Sequence, residues 1–173
     1  MRDFVAAIVA LALTVIALGL LTTLQAYRRR LARRRASEEA LGRLIIAELP
    51  TAAELVLFCG DGVRFYHGDR PIEKDLIRAV RVLINGSPIA AYVSTRWPSE
   101  GAPHGTTFEN RPDGIARDRW DVALESEQGL TLIECGEIRE RVSQELARRV
   151  YDAVRTDMEQ RDRAASRATT RSR

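Results

Sequence analysis

The chain has 173 residues, 45% of them hydrophobic, and a formal net charge of +3, a length that excludes a polytopic transporter and a large multidomain enzyme. The charge is segregated: both ends are rich in arginine and the middle is acidic, so a pI near 9.2 is no argument for nucleic-acid binding by the folded part. The basic end over residues 161–173 carries no aromatic side chain and so offers no stacking platform, and nucleic acid is not expected as a partner.

The first predicted element follows a short tail, residues 1–3. Residues 4–27 form a 24-residue stretch without formal charge, and about 20 apolar residues in a helix suffice to cross a bilayer core. This reads as a transmembrane helix. Arg2 and Asp3 together make a poor signal-peptide n-region, and arginines follow the run at once, so an uncleaved anchor is expected. Arg28, Arg29, Arg30, Arg33, Arg34 and Arg35 stand on one side of the span against Arg2 on the other. That imbalance predicts an N-terminus outside and a cytoplasmic C-terminal domain. The same arginines are expected to lie at the membrane surface and attract anionic headgroups of the lipid bilayer. Ala6, Ala10 and Thr14 make a small-xxx-small row, read as lipid-facing rather than as a helix contact.

Residues 28–50 read as a basic juxtamembrane helical stalk, with Leu31, Leu41, Leu44, Ile45 and Leu49 apolar and Glu39 four residues before Arg43. Arg34, Arg35 and Glu38 break any heptad, and Pro50 ends the segment. A soluble domain is expected over residues 51–160. Leu55-Val56-Leu57-Phe58-Cys59, a turn at Gly60-Asp61-Gly62 and Val63-Arg64-Phe65-Tyr66-His67 predict a hairpin. Asp69 and Pro71 then suit the start of a helix whose spacing Ile72, Leu76, Ile77, Val80, Leu83, Ile84 runs to Asn85-Gly86. A strand over residues 89–95, a long stretch over 96–119 and a hairpin from residues 120–126 and 130–135 follow. The last helix is expected over residues 137–160, with Ile138, Val142, Leu146, Val150, Val154 and Met158 each four apart. Such a row winds around a 3.6-residue helix, so the first half is expected on the sheet and the distal half free or against a partner. Residues 161–173, almost without large apolar side chains, read as a disordered basic tail. The expected fold is α+β: the transmembrane helix, then a small mixed or antiparallel sheet with two covering helices in the order ββαβββα.

Candidate chemistry is sparse. Cys59 and Cys135 belong to no Cys-x-x-Cys or zinc spacing, and a reducing compartment disfavours a disulfide. Cys135 lies just before a predicted helix N-terminus, which lowers a thiol's pKa, but Glu134 and Glu137 oppose that and the expected state is a buried, inert thiol. A Cys59–His67 dyad fails, because no hairpin register brings the two into contact. The 96–119 stretch holds Trp97, His104, Glu109, Asp113 and Asp118, and loops of this length are functional or disordered. Without a second histidine near His104 a metal site has thin support, and Gly60-Asp61-Gly62 lacks the lysine and helix of a phosphate loop. No cofactor and no metal are expected.

Two functions remain at this level. The first is a single-pass membrane-anchored protein whose cytoplasmic domain is a protein-binding scaffold or accessory subunit of a membrane complex. The alternative is a membrane-tethered enzyme using the 96–119 loop, with His104 in an acid/base role beside a carboxylate such as Asp113.

Overall fold

The computed structural model describes residues 2–51, 55–97, 119–137 and 141–171, with side chains placed from residue 11 onward except at residue 12 and residues 169–171. The chain divides into two compact units, Met1–Gly42 and Arg43–Arg173. The first is a single helix, α1, Arg2–Ala40. It ends where Gly42 turns left-handed at φ 73° and donates to the Glu39 carbonyl at 2.9 Å, a stop that glycine makes without strain. Between residues 11 and 24 the large apolar side chains are exposed on every side of the rod, from Leu11 at 67% to Leu24 at 49%. Among the described residues no helix is long and apolar enough to cross a membrane. The side chains of residues 4–10 and 12, part of the uncharged run, lie outside those described, and the expected span rests on the sequence.

The second unit is α+β. Its strands are β1 (Leu44–Pro50), β2 (Leu55–Gly60), β3 (Arg64–His67), β4 (Arg70–Glu73), β5 (Ile77–Ile84), β6 (Ser87–Val93), β7 (Arg119–Ser126) and β8 (Gly129–Glu137), closed by helix α2 (Arg141–Arg171). They form two antiparallel four-stranded sheets, in the orders β1-β2-β3-β4 and β6-β5-β7-β8. One core joins both sheets to α2: Ala47, Leu49, Phe58, Phe65 and Ile72 from the first sheet, Val80, Val122, Leu124 and Ile133 from the second, and Leu146, Val150, Val154 and Met158 from the helix. Phe58 and Met158 are fully enclosed, each burial contributing roughly 1.5–3 kcal/mol.

Several expectations are corrected. Among the described residues of this unit there are two sheets rather than one, and the covering helix is α2. The helix expected over residues 71–84 is instead β4, a single 3₁₀ turn at Lys74–Leu76, and β5. Asn85 and Gly86, expected as its stop, both have positive φ, 51° and 77°. They form the tight two-residue turn that pairs Ile84 with Ser87. The helical stalk ends at Ala40, and residues 44–50 are β1, paired along β2 from Leu44↔Gly60 to Pro50↔Leu55. The expected hairpins over 55–67 and 120–135 are present as β2–β3 and β7–β8.

Helix α2 begins at Arg141 and runs on through residues 161–171, the stretch expected to be disordered. Its buried stripe is Ser143, Leu146, Ala147, Val150, Tyr151, Val154, Met158 and Asp162, the three- and four-residue steps of one helix face. The row of fours drifts off that face at its start, not its end: Val142 is 64% exposed and Met158 is enclosed. Ile138 lies outside the described residues. At the entry to α2, Gly136 has φ 112°, and a Cβ there would meet the buried Ser143 Oγ at 2.5 Å. Only glycine allows the strand end and the first helical turn to approach so closely.

Candidate functional site

Polar side chains converge at three places in the second unit. The first is the β2–β3 turn. The Asp61 carboxylate accepts from the Val63 and Arg64 amides at 2.7 and 2.6 Å and from Tyr66 Oη at 2.8 Å. These bonds, the Arg64 amide foremost, hold its pKa down at about 2. Lys74, buried beside the Phe65 ring at 4.4 Å from its centroid, donates to the Asp61 carbonyl at 2.7 Å and to Asp157 of α2 at 2.9 Å. Arg161 donates to Asp157 at 2.7 Å and to the Gly62 carbonyl at 3.2 Å, and pairs with Asp75. Every cation here has a carboxylate, so the network is a clamp between turn and helix.

The second is Asp162, where α2 passes β6. Its carboxylate accepts from Ser94 Oγ at 2.6 Å, Tyr92 Oη at 2.9 Å, the Thr95 amide at 2.9 Å and Arg96 Nε at 3.1 Å. Burial pushes its pKa up, but the Ser94 and Thr95 bonds outweigh it and the net shift is downward. An oxygen pair receiving four donors is saturated and holds the anion in place.

The third lies on β7–β8. Asp121, wholly buried, faces Arg119 Nε at 2.8 Å, and Arg119 also pairs with Glu134 at 2.8 Å. Burial raises the Asp121 pKa while the Arg119 guanidinium pulls it down. Cys135 sits in the core behind this pair, with Sγ 3.6 Å from the Ile133 carbonyl. Burial, with the Asp121 charge adding to it, pushes the thiol up to about 12. The helix whose N-terminus would lower a thiol's pKa starts, among the described residues, at Arg141. Cys135 is thus buried, as the sequence led one to expect, and its thiol is protonated at neutral pH.

Of the remaining sequence-predicted residues, His104 and Asp113 lie outside the described residues, as does most of the 96–119 stretch. Arg28, Arg29, Arg30, Arg33, Arg34 and Arg35 are all exposed on α1. Cys59 and His67 do not meet: Cys59 pairs with Tyr66 and His67 with Phe58, so their side chains take opposite faces. Among the described residues no group of three metal-ligating side chains converges.

What the sequence reading missed is a cleft of about 380 Å³ between β4 and the β7–β8 turn. Its lining is mainly polar, from Arg70, Glu73, Ser126, Gln128 and Thr131, with Ile72, Leu76 and Leu130 as the large apolar side chains among them. Arg70 is exposed and makes no ion pair among the described residues. The helical spacing of residues 71–76 hides the cleft in the sequence, because a helix disperses these side chains around a cylinder. Compared with known proteins, the chain matches no family model, and neither a curated protein nor a solved structure shows significant similarity to it.

Proposed function

We propose that this chain is a single-pass membrane-anchored protein whose cytoplasmic α+β domain binds a protein partner, as a scaffold or accessory subunit of a membrane complex. The observation that carries the anchor is α1. One continuous helix joins the uncharged run to six exposed arginines, and the large apolar side chains described between residues 11 and 24 are exposed all round. A helix apolar on every face needs an apolar surround, and lipid supplies it. The arginine cluster supports the cytoplasmic side and contact with anionic headgroups. The partner-binding part is supported by the cleft, where Arg70, exposed and without an ion pair among the described residues, stands with Gln128, Thr131 and the apolar Ile72 and Leu130, a lining that suits an extended polar segment presenting a carboxylate.

Photo-crosslinking from Leu130, which is 45% exposed on the cleft lip, tests the reading in the full chain in its native membrane. The expected result is a discrete protein adduct whose yield falls at least about tenfold when Arg70→Glu reverses the rim charge. No protein adduct, or one indifferent to Arg70→Glu, counts against the cleft as the partner site.

A further inference from the structure

Each of the two sheets has two edges, and three of the four edges are managed. β1 and β8, the edges on one side, run beside each other. β4 is short and bears Arg70, Pro71 and Glu73. The Lys74 amide donates to the Val63 carbonyl, which continues the β3–β4 register and turns residues 70 and 72 toward β3. Pro71, without an N–H, therefore faces the free side, a guard against strand addition. The remaining edge is β6.

β6 has seven residues and no charged side chain. Pro88 and the bulge that sets Ile89 between Leu83↔Pro88 and Val82↔Ala90 guard only its beginning. Beyond them no described residue pairs with the outer side of β6. The Ser94 amide donates to the Arg78 carbonyl at 2.8 Å, in register with Val80↔Tyr92 and Val82↔Ala90. Residues 90, 92 and 94 thus bond to β5, and the amides and carbonyls of Ala91 and Val93 point away from it. Both residues are exposed, Val93 at 42%, and neither backbone makes a further hydrogen bond among the described residues.

We infer that β6 pairs antiparallel with β6 of a second copy of this chain, joining the two β6-β5-β7-β8 sheets across a twofold axis. The register that satisfies all outward groups sets Ala91 of one copy opposite Val93 of the other, and the reverse, with Tyr92 on the axis. A small side chain then faces a branched one in both pairs, and the uncharged strand brings no like charge to the axis. Tyr92 itself is held on the opposite face by its bond to Asp162, so the pairing leaves that hub intact. This inference is independent of the cleft and its partner.

Cysteine crosslinking in the full chain, reconstituted in lipid vesicles, tests it; Cys59 and Cys135 are buried and stay silent. Under mild oxidation the double variant Ala91→Cys/Val93→Cys is expected to give a disulfide-linked dimer, at least about fivefold more than either single variant, since opposed Cα atoms in such a pair lie about 5.5 Å apart. Val93→Pro, which removes an outward N–H that the fold does not use, is expected to abolish native dimer in chemical crosslinking while leaving the circular dichroism spectrum and melting temperature unchanged. No dimer in the double variant overturns the pairing. So do single variants that crosslink as well as the double, or a native dimer that survives Val93→Pro and is therefore held elsewhere, as by the small residues of α1.

Discussion

His67 is half-buried on β3, and its Nε2 is enclosed without a hydrogen-bond partner. Burial, helped by the nearby Arg70 charge, pulls its pKa below the ordinary 6.5, with Glu134 opposing. The unfolded chain therefore binds a proton that the folded chain refuses, so stability falls as pH drops through 6.5 toward the folded-state value. His67→Leu removes both the orphaned nitrogen and the titration. Melting temperatures measured from pH 7.5 to 5.5 are expected to diverge, the variant gaining on the native chain as pH falls; parallel curves would refute the assignment. The side chain was visible in the sequence, but its isolation was not, because that depends on which residues the β2–β3 register sets around it. Cys135 differs, since its burial was expected from the sequence, and its enclosure is what makes the thiol inert.

At the scale of elements, the misread segments share a cause. Ile77–Ile84 is the second strand in its sheet, flanked by β6 and β7, and is buried on both faces: Val80 and Val82 enter the core, while Ala79, Arg81 and Leu83 are covered on the other side. A strand buried on both faces loses the two-residue alternation that identifies it. Asn85-Gly86, the strongest short hairpin signal in the chain, was available and was read as a helix stop instead. Gly42 likewise marked the true end of α1 before Ile45 and Ile46 turned the chain into a strand. The two hairpins were legible because each pairs a β-rich run with its immediate neighbour. The end of α2 was not, because polar contacts hold it: Asp162 and Arg161 replace the apolar stripe that sequence patterning seeks. Asp162→Ala leaves the Ser94, Tyr92, Thr95 and Arg96 donors without their acceptor in a largely buried site. It is expected to cost about 2–3 kcal/mol in chemical denaturation. A change below about 0.5 kcal/mol, or an undiminished helix signal on ending the chain at residue 160, would show that the hub does not anchor the helix.

For the whole molecule, the central claim is that an apolar helix fixes the α+β domain to the cytoplasmic face of a membrane. The proposed anchor rests on composition alone, an uncharged run followed by arginines. The cleft and the β6 edge came only with the fold. Limited trypsin digestion of the full chain in sealed inverted membrane vesicles is the most direct measurement. The account predicts cleavage among Arg28, Arg29, Arg30, Arg33, Arg34 and Arg35 without detergent, releasing the domain and leaving a fragment of about 3 kDa, the mass of a single span, in the membrane. A chain that stays intact until detergent is added, or one that leaves no membrane-retained fragment, would contradict it.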